Sequence, residues 1–231
     1  MRPILYRQCN LFWSFYNLRK WKQDKNGNWE IKFFLSIVLV LVVLPFANAN
    51  PNKRTTKYNI QMLGVSIGEL SVTQTYENGT VMIDAVTNVN VNMLFSYRVK
   101  YVQNTIYDQG YLQSSHVETY KNGTLNLTTW MKLEDNVYLF VTDGDTTIIK
   151  DTINYSGSLI YFNEPIGVKQ LCKERTGEIW QLKSFRAHTY IITDGKEREI
   201  NRYYYENGIL EYAEMQYPLG TIELKREMGN K

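Results

Sequence analysis

The chain has 231 residues, 44% of them apolar and 14% aromatic, with 18 tyrosines. Seven of its 26 basic and two of its 23 acidic residues lie in positions 1–49, so the remainder carries 19 basic against 21 acidic groups. That slight negative balance excludes the basic footprint of a nucleic-acid binder, and the aromatic content favours pleated sheet.

The first predicted element is a leader. Residues 1–30 form a long basic stretch containing Trp13, Trp21 and Trp29. Lys32 then precedes the uncharged run FFLSIVLVLVVL at 33–44, and Ala47-Asn48-Ala49 follows. A basic flank, an apolar core of roughly 7–15 residues and an A-x-A site constitute a secretory signal. The apolar run enters the bilayer as a helix while the lysine stays on the cytoplasmic side. Ala47 and Ala49 occupy the two small-residue positions of the cleavage site, and cleavage after Ala49 is expected. The alternative is an uncleaved N-terminal helix that anchors the product, but spanning takes about 20 apolar residues and this run is shorter. Membrane contact is expected only through this segment.

Cleavage leaves 182 of the 231 residues, one domain's worth. Residues 50–56 read as a flexible polar start, 57–227 as a single β domain and 228–231 as a tail. Cys9 belongs to the leader and Cys172 to the domain, so no intramolecular disulfide is expected. A lone cysteine of this kind is expected to be a small buried residue.

Asn78-Gly79, Asn122-Gly123 and Asn207-Gly208 each separate two alternating runs. Asn-Gly accepts the positive φ of a tight hairpin, which makes it the strongest short hairpin signal. Asp108-Gln109-Gly110, Asp143-Gly144-Asp145 and Asp194-Gly195 add weaker turns. Between the turns, apolar residues recur at every second position, as a half-buried strand requires. Val81, Ile83, Ala85, Val89, Val91 and Met93 share one face. Tyr97, Val99, Tyr101 and Tyr107 share another, as do Leu125, Leu127, Met131 and Leu133, and later Ile209, Ala213, Met215 and Tyr217. About ten to twelve strands follow from this spacing.

The alternation weakens over 153–176. There Ser156 to Phe162 suggests a short helix with a serine cap, stopped by Pro165 and Gly167. The fold class expected is all-β for the most part. It is a strongly curved antiparallel meander, or an incomplete up-and-down barrel, with one short helix.

Three segments carry a family resemblance: Tyr58-Asn59-Ile60 through Gly64 to Val72, Phe95-Ser96-Tyr97 to Tyr101, and Ser156-Gly157-Ser158-Leu159. Together they resemble an uncharacterised family of exported Gram-negative bacterial β-sheet proteins, a domain of unknown function, over nearly all of 57–227. The resemblance implies an antiparallel curved sheet and a location in the periplasm or outer envelope. It brings no catalytic residues.

No motif carries chemistry. His116 and His188 stand far apart, whereas a metal site needs several converging ligands. Asp143-Gly144-Asp145 opens like a calcium loop, but the sixth and twelfth positions are Ile148 and Asn154. Ser156-Gly157-Ser158 lacks the strand-borne G-x-S-x-G of a nucleophile elbow. No catalytic residue, metal ligand or cofactor is assigned. Tyrosine has an apolar body and a polar tip, so Tyr97, Tyr101 and Tyr107 are the candidate ligand-binding residues. The leading expectation is a non-catalytic exported protein that binds an apolar ligand, such as a lipid, or an envelope component. The second is an interaction protein that pairs with an envelope partner through a sheet edge. The third is a hydrolase, for which Asp84 on a polar strand face is the one hint.

Overall fold

The computed structural model describes residues 52–92, 96–193, 198–218 and 220–227, all within one compact unit, Ala49–Lys231. The leader with Ala47 and Ala49, and the positions Met93, Phe95 and Asp194-Gly195, lie outside the described residues.

Fourteen strands form one antiparallel sheet. The first eight are β1 (Asn52–Met62), β2 (Val65–Glu77), β3 (Thr80–Asn92), β4 (Ser96–Asp108), β5 (Tyr111–Lys121), β6 (Thr124–Glu134), β7 (Val137–Thr142) and β8 (Asp145–Ile149). The rest are β9 (Gln170–Cys172), β10 (Ile179–Arg186), β11 (Thr189–Thr193), β12 (Glu199–Glu206), β13 (Ile209–Tyr217) and β14 (Gly220–Arg226). β1 lies inside the sheet. The chain meanders outward from it to one edge, β8, crosses to the other edge at β9, and meanders back until β14 pairs with β1.

The turns explain the meander. Seven connections have two residues, both at positive φ: Leu63-Gly64, Asn78-Gly79, Gln109-Gly110, Asn122-Gly123, Asp135-Asn136, Asp143-Gly144 and Asn207-Gly208. Such turns have the hand that matches the right-handed twist of the flanking strands, so each one continues the curl.

β1 begins at Asn52, inside the stretch expected to be flexible. Residues 52–56 lack apolar periodicity, yet they pair with β2 and are held by side chains as well. Arg54 donates to Gln74 at 2.7 Å, and the Thr55 and Thr73 hydroxyls meet at 3.0 Å.

β-Bulges change which residues face inward. A register shift between Tyr204 and Tyr205 pairs Tyr205 with Leu210, so Leu210 is buried instead of Ile209. Another between Thr119 and Tyr120 leaves Leu125 exposed while Met131 is buried. A bulge inserts one unpaired residue and so moves the alternation onto the other face.

The β8–β9 connection, residues 150–169, fills one half of the interior. Ile153, Tyr155, Leu159, Ile160 and Phe162 are buried in the core. Burying each large apolar side chain contributes about 1.5–3 kcal/mol. The helix expected here is a single 3-10 turn, Leu159–Tyr161, and its N-cap Ser158 makes no side-chain cap bond. Backbone bonds tie the connection to both sides of the sheet. Leu112 N–H donates to the Ile153 carbonyl at 2.9 Å, and Cys172 N–H donates to the Tyr155 carbonyl at 3.1 Å.

The sheet curls until its two edges meet by packing, while its ladder stays unclosed. A Cβ added at Gly177, in the β9–β10 turn, would stand 3.1 Å from Phe140 of β7 and 3.3 Å from Ile149 of β8.

Candidate functional site: the interior of the curved sheet

Tyr97, Val99, Tyr101, Gln103, Thr105 and Tyr107 alternate along β4, so all six start on its interior face. They pair in register with Val91, Val89, Thr87, Ala85, Ile83 and Val81 of β3. Exposure changes along this face: Tyr107 is buried, Tyr101 is partly buried and Tyr97 is exposed.

Tyr107 lies in the sealed half and is 2% exposed. Its hydroxyl donates to Ser156 Oγ at 2.5 Å. Ser156 in turn donates to the Glu174 carboxylate, which also accepts Ser158 N–H at 2.9 Å. Glu174 is itself 4% exposed. A carboxylate buried this deeply needs hydrogen bonds to offset lost hydration, and the Ser-Gly-Ser segment supplies them. A Cβ at Gly157 would come within 2.9 Å of Glu174 Oε2, so the middle residue of that segment must be small. Burial, then the Glu174 charge, pushes the Tyr107 phenol well above its ordinary value. Tyr58 and Tyr138 complete the seal by donating to the Leu210 and Leu112 carbonyls, each at 2.9 Å.

Tyr97 and Tyr101 lie towards the open half. Tyr97 is 39% exposed, and Tyr101 is partly buried. Arg175, in the β9–β10 turn, holds its guanidinium 5.4 Å from the Tyr101 ring centroid. Tyr217, at the end of β13, is 54% exposed. Burial pushes its phenol up, Tyr101 adds to the rise, and the Arg175 charge opposes it. Three elements that are not neighbours in the sheet thus converge on this end of the interior. Thr119, directly across from Tyr101 on β5, is buried and its hydroxyl has no partner among the described residues.

A groove of about 620 Å³ lies over β2–β5 and is lined by residues of both strand faces, Val89 and Val99 among them. Glu69, Asn88, Lys100 and Tyr120 cross it as one register row over β2, β3, β4 and β5. Asn90 and Arg98 form the next row.

The groups considered for chemistry are dispersed. His116 stacks on Trp130 of the neighbouring strand, with ring centroids 3.6 Å apart. His188 bonds Glu164 through Nδ1 at 3.1 Å. Cys172 is buried, and burial pushes its thiol up, away from the reactive thiolate. Asp84 accepts from Asn104 at 2.6 Å on the outer face. Among the described residues, no three His, Cys, Asp or Glu side chains converge as metal ligands, and no helix is long and apolar enough to cross a membrane.

Sequence reasoning named Tyr97, Tyr101 and Tyr107 and placed Tyr217 on an apolar face. It missed Arg175 and Glu174. Both follow Cys172 in a stretch without alternation, where no local pattern shows which side chain turns inward.

A curved antiparallel sheet whose ladder stays unclosed defines a β-barrel-like domain. The chain belongs to the family described as domain of unknown function DUF6134, whose model matches residues 58–227. No curated protein matches it. Among solved structures it is similar to a beta-barrel-like protein of domain of unknown function DUF1849 from Brucella abortus. That similarity is at 13% identity, covers 77% of this chain and 95% of that chain, and has a TM-score of 0.49.

Proposed function

We propose that this domain is a non-catalytic binding protein that acts outside the cytoplasm and holds one apolar molecule in the open half of its curved sheet. The observation that carries the reading is the change along β4. Tyr107 is sealed and committed to Ser156, whereas Tyr97 and Tyr101 on the same face lie towards solvent. A small barrel whose side chains do not fill it can hold a single ligand. The walls on offer are valines and tyrosines, which suit an apolar body with a few polar contacts. The 33–44 apolar run and the Ala47-Asn48-Ala49 site support export, and an envelope lipid is then the ligand class nearest at hand.

The test is titration of the delipidated protein with a fluorescent long-chain fatty acid. Saturable binding, weakened by Tyr101→Ala with circular dichroism unchanged, is the expected result. Absence of saturable binding across fatty acids and envelope phospholipids would remove the reading.

A second reading rests on β8. This edge strand, DTTII, has four of its five residues exposed, and among the described residues no strand pairs with its outer side. An exposed strand edge is a template for pairing with another chain, and an envelope protein partner would engage it there.

A further inference from the structure

A positioned cation stands beside the Tyr101 end of the β4 face: Arg175, exposed, in the β9–β10 turn. Arg175 sits in a tight turn. Lys173 N–H donates to the Glu178 carbonyl at 2.9 Å, and Gly177 N–H donates back to the Lys173 carbonyl at 2.8 Å. Gly177 also rests against Phe140 and Ile149, which fixes the turn against the far edge of the sheet. The neighbouring cation is neutralised: Lys173 pairs with Glu178 at 3.3 Å and lies over the Trp180 ring. Arg175 has no such partner. Among the described residues no carboxylate pairs with it, and its guanidinium lies over the face of Tyr101. Lys121 adds a second unpaired cation, in register with Val99 on the interior face.

We propose that the ligand of the open half is an amphiphile with a single anionic head group, a carboxylate or a phosphate, held by the Arg175 guanidinium while its apolar chain lies along the Val99 and Tyr101 face of β4. This rests on the binding reading above and narrows it to one ligand class. A guanidinium presents a planar fork that pairs both oxygens of a carboxylate or phosphate at once. The Tyr217 phenol stays neutral and can donate one further bond to the head group. The turn is already fixed before binding, so little order remains to be lost.

The experiment compares a fluorescent long-chain fatty acid with its own methyl ester on the full protein at neutral pH. The acid should bind about tenfold more tightly, the scale of one charge-assisted pairing. Arg175→Gln should remove that preference and leave ester binding unchanged, and Arg175→Lys should restore part of it. Inorganic phosphate at millimolar concentration should not displace the acid, because the chain supplies the rest of the affinity. Equal binding of acid and ester, or a preference that survives Arg175→Gln, overturns this inference and leaves the binding reading standing. Displacement by inorganic phosphate alone overturns the amphiphile in favour of a free anion. Failure of both probes to bind removes the binding reading and this inference together.

Discussion

The Arg175 guanidinium lies 5.4 Å from the centroid of the Tyr101 ring, and the two residues belong to elements that share no ladder of the sheet. A turn at one edge thus reaches the interior face of a strand on the opposite wall. The contact exists because the sheet curls far enough to bring its edges together.

The sealed half depends on its polar network. Tyr107→Phe and Ser156→Ala should each cost about 1–3 kcal/mol, because each leaves a buried polar group without its partner. The two should not add, since they break one chain of bonds ending on Glu174. Urea unfolding of both single variants and the double variant measures the coupling. Full additivity would show that the serine and the tyrosine act independently.

Two glycines should fail for different reasons. Gly123 has φ 87 with nothing within 4 Å of an added Cβ, so Gly123→Val suffers only backbone strain, about 1–3 kcal/mol. Gly68 has no positive φ to satisfy, but a Cβ there would meet the Asn88 carbonyl oxygen at 2.1 Å. Gly68→Ala should therefore cost about 3 kcal/mol or more, because backbone cannot move aside as a side chain can. Thermal melts of both variants give the order, and a milder effect at Gly68 would contradict the packing of β2 on β3.

Alkaline unfolding should be cooperative. Burial, then the Glu164 bond and charge, pushes the Tyr190 phenol from 10.0 up to about 12. Burial likewise raises Tyr58, Tyr155 and Tyr203. A group whose folded pKa lies above its unfolded value contributes stability that is intact below the unfolded pKa and lost as pH rises through the folded one. Stability should hold to about pH 10 and then fall, with the tyrosinate absorbance of these four buried residues appearing together with loss of the sheet signal. Titration of Tyr58, Tyr155, Tyr190 and Tyr203 with the sheet signal intact would contradict their burial.

Much of this fold was legible because its turns and its alternation are local signals. Asn78-Gly79, Asn122-Gly123 and Asn207-Gly208 take positive φ at both residues, as Asn-Gly chemistry favours. Leu63-Gly64 was harder to read as a turn, because leucine has no special tolerance for the φ of 53 that it adopts. The bulges at Leu125 and Leu210 were hidden, since a one-residue insertion leaves no mark in composition. That Tyr97, Tyr101 and Tyr107 share one face of β4 was legible from their spacing. What separates Tyr107 from the others was not, because its partners Ser156 and Glu174 arrive from the β8–β9 connection and the turn after β9. Long-range closure decides which of three equivalent tyrosines seals the core.

The central claim, a ligand held in the open half of the interior, is tested most directly by amide hydrogen exchange on the full protein with and without a saturating long-chain fatty acid. The account predicts added protection in 97–101, in the turn carrying Arg175 and at the end of β13 near Tyr217, with the already sealed segment 153–162 unchanged. Protection confined to the groove around Asn88, Lys100 and Tyr120, or to the β8 edge, would contradict it.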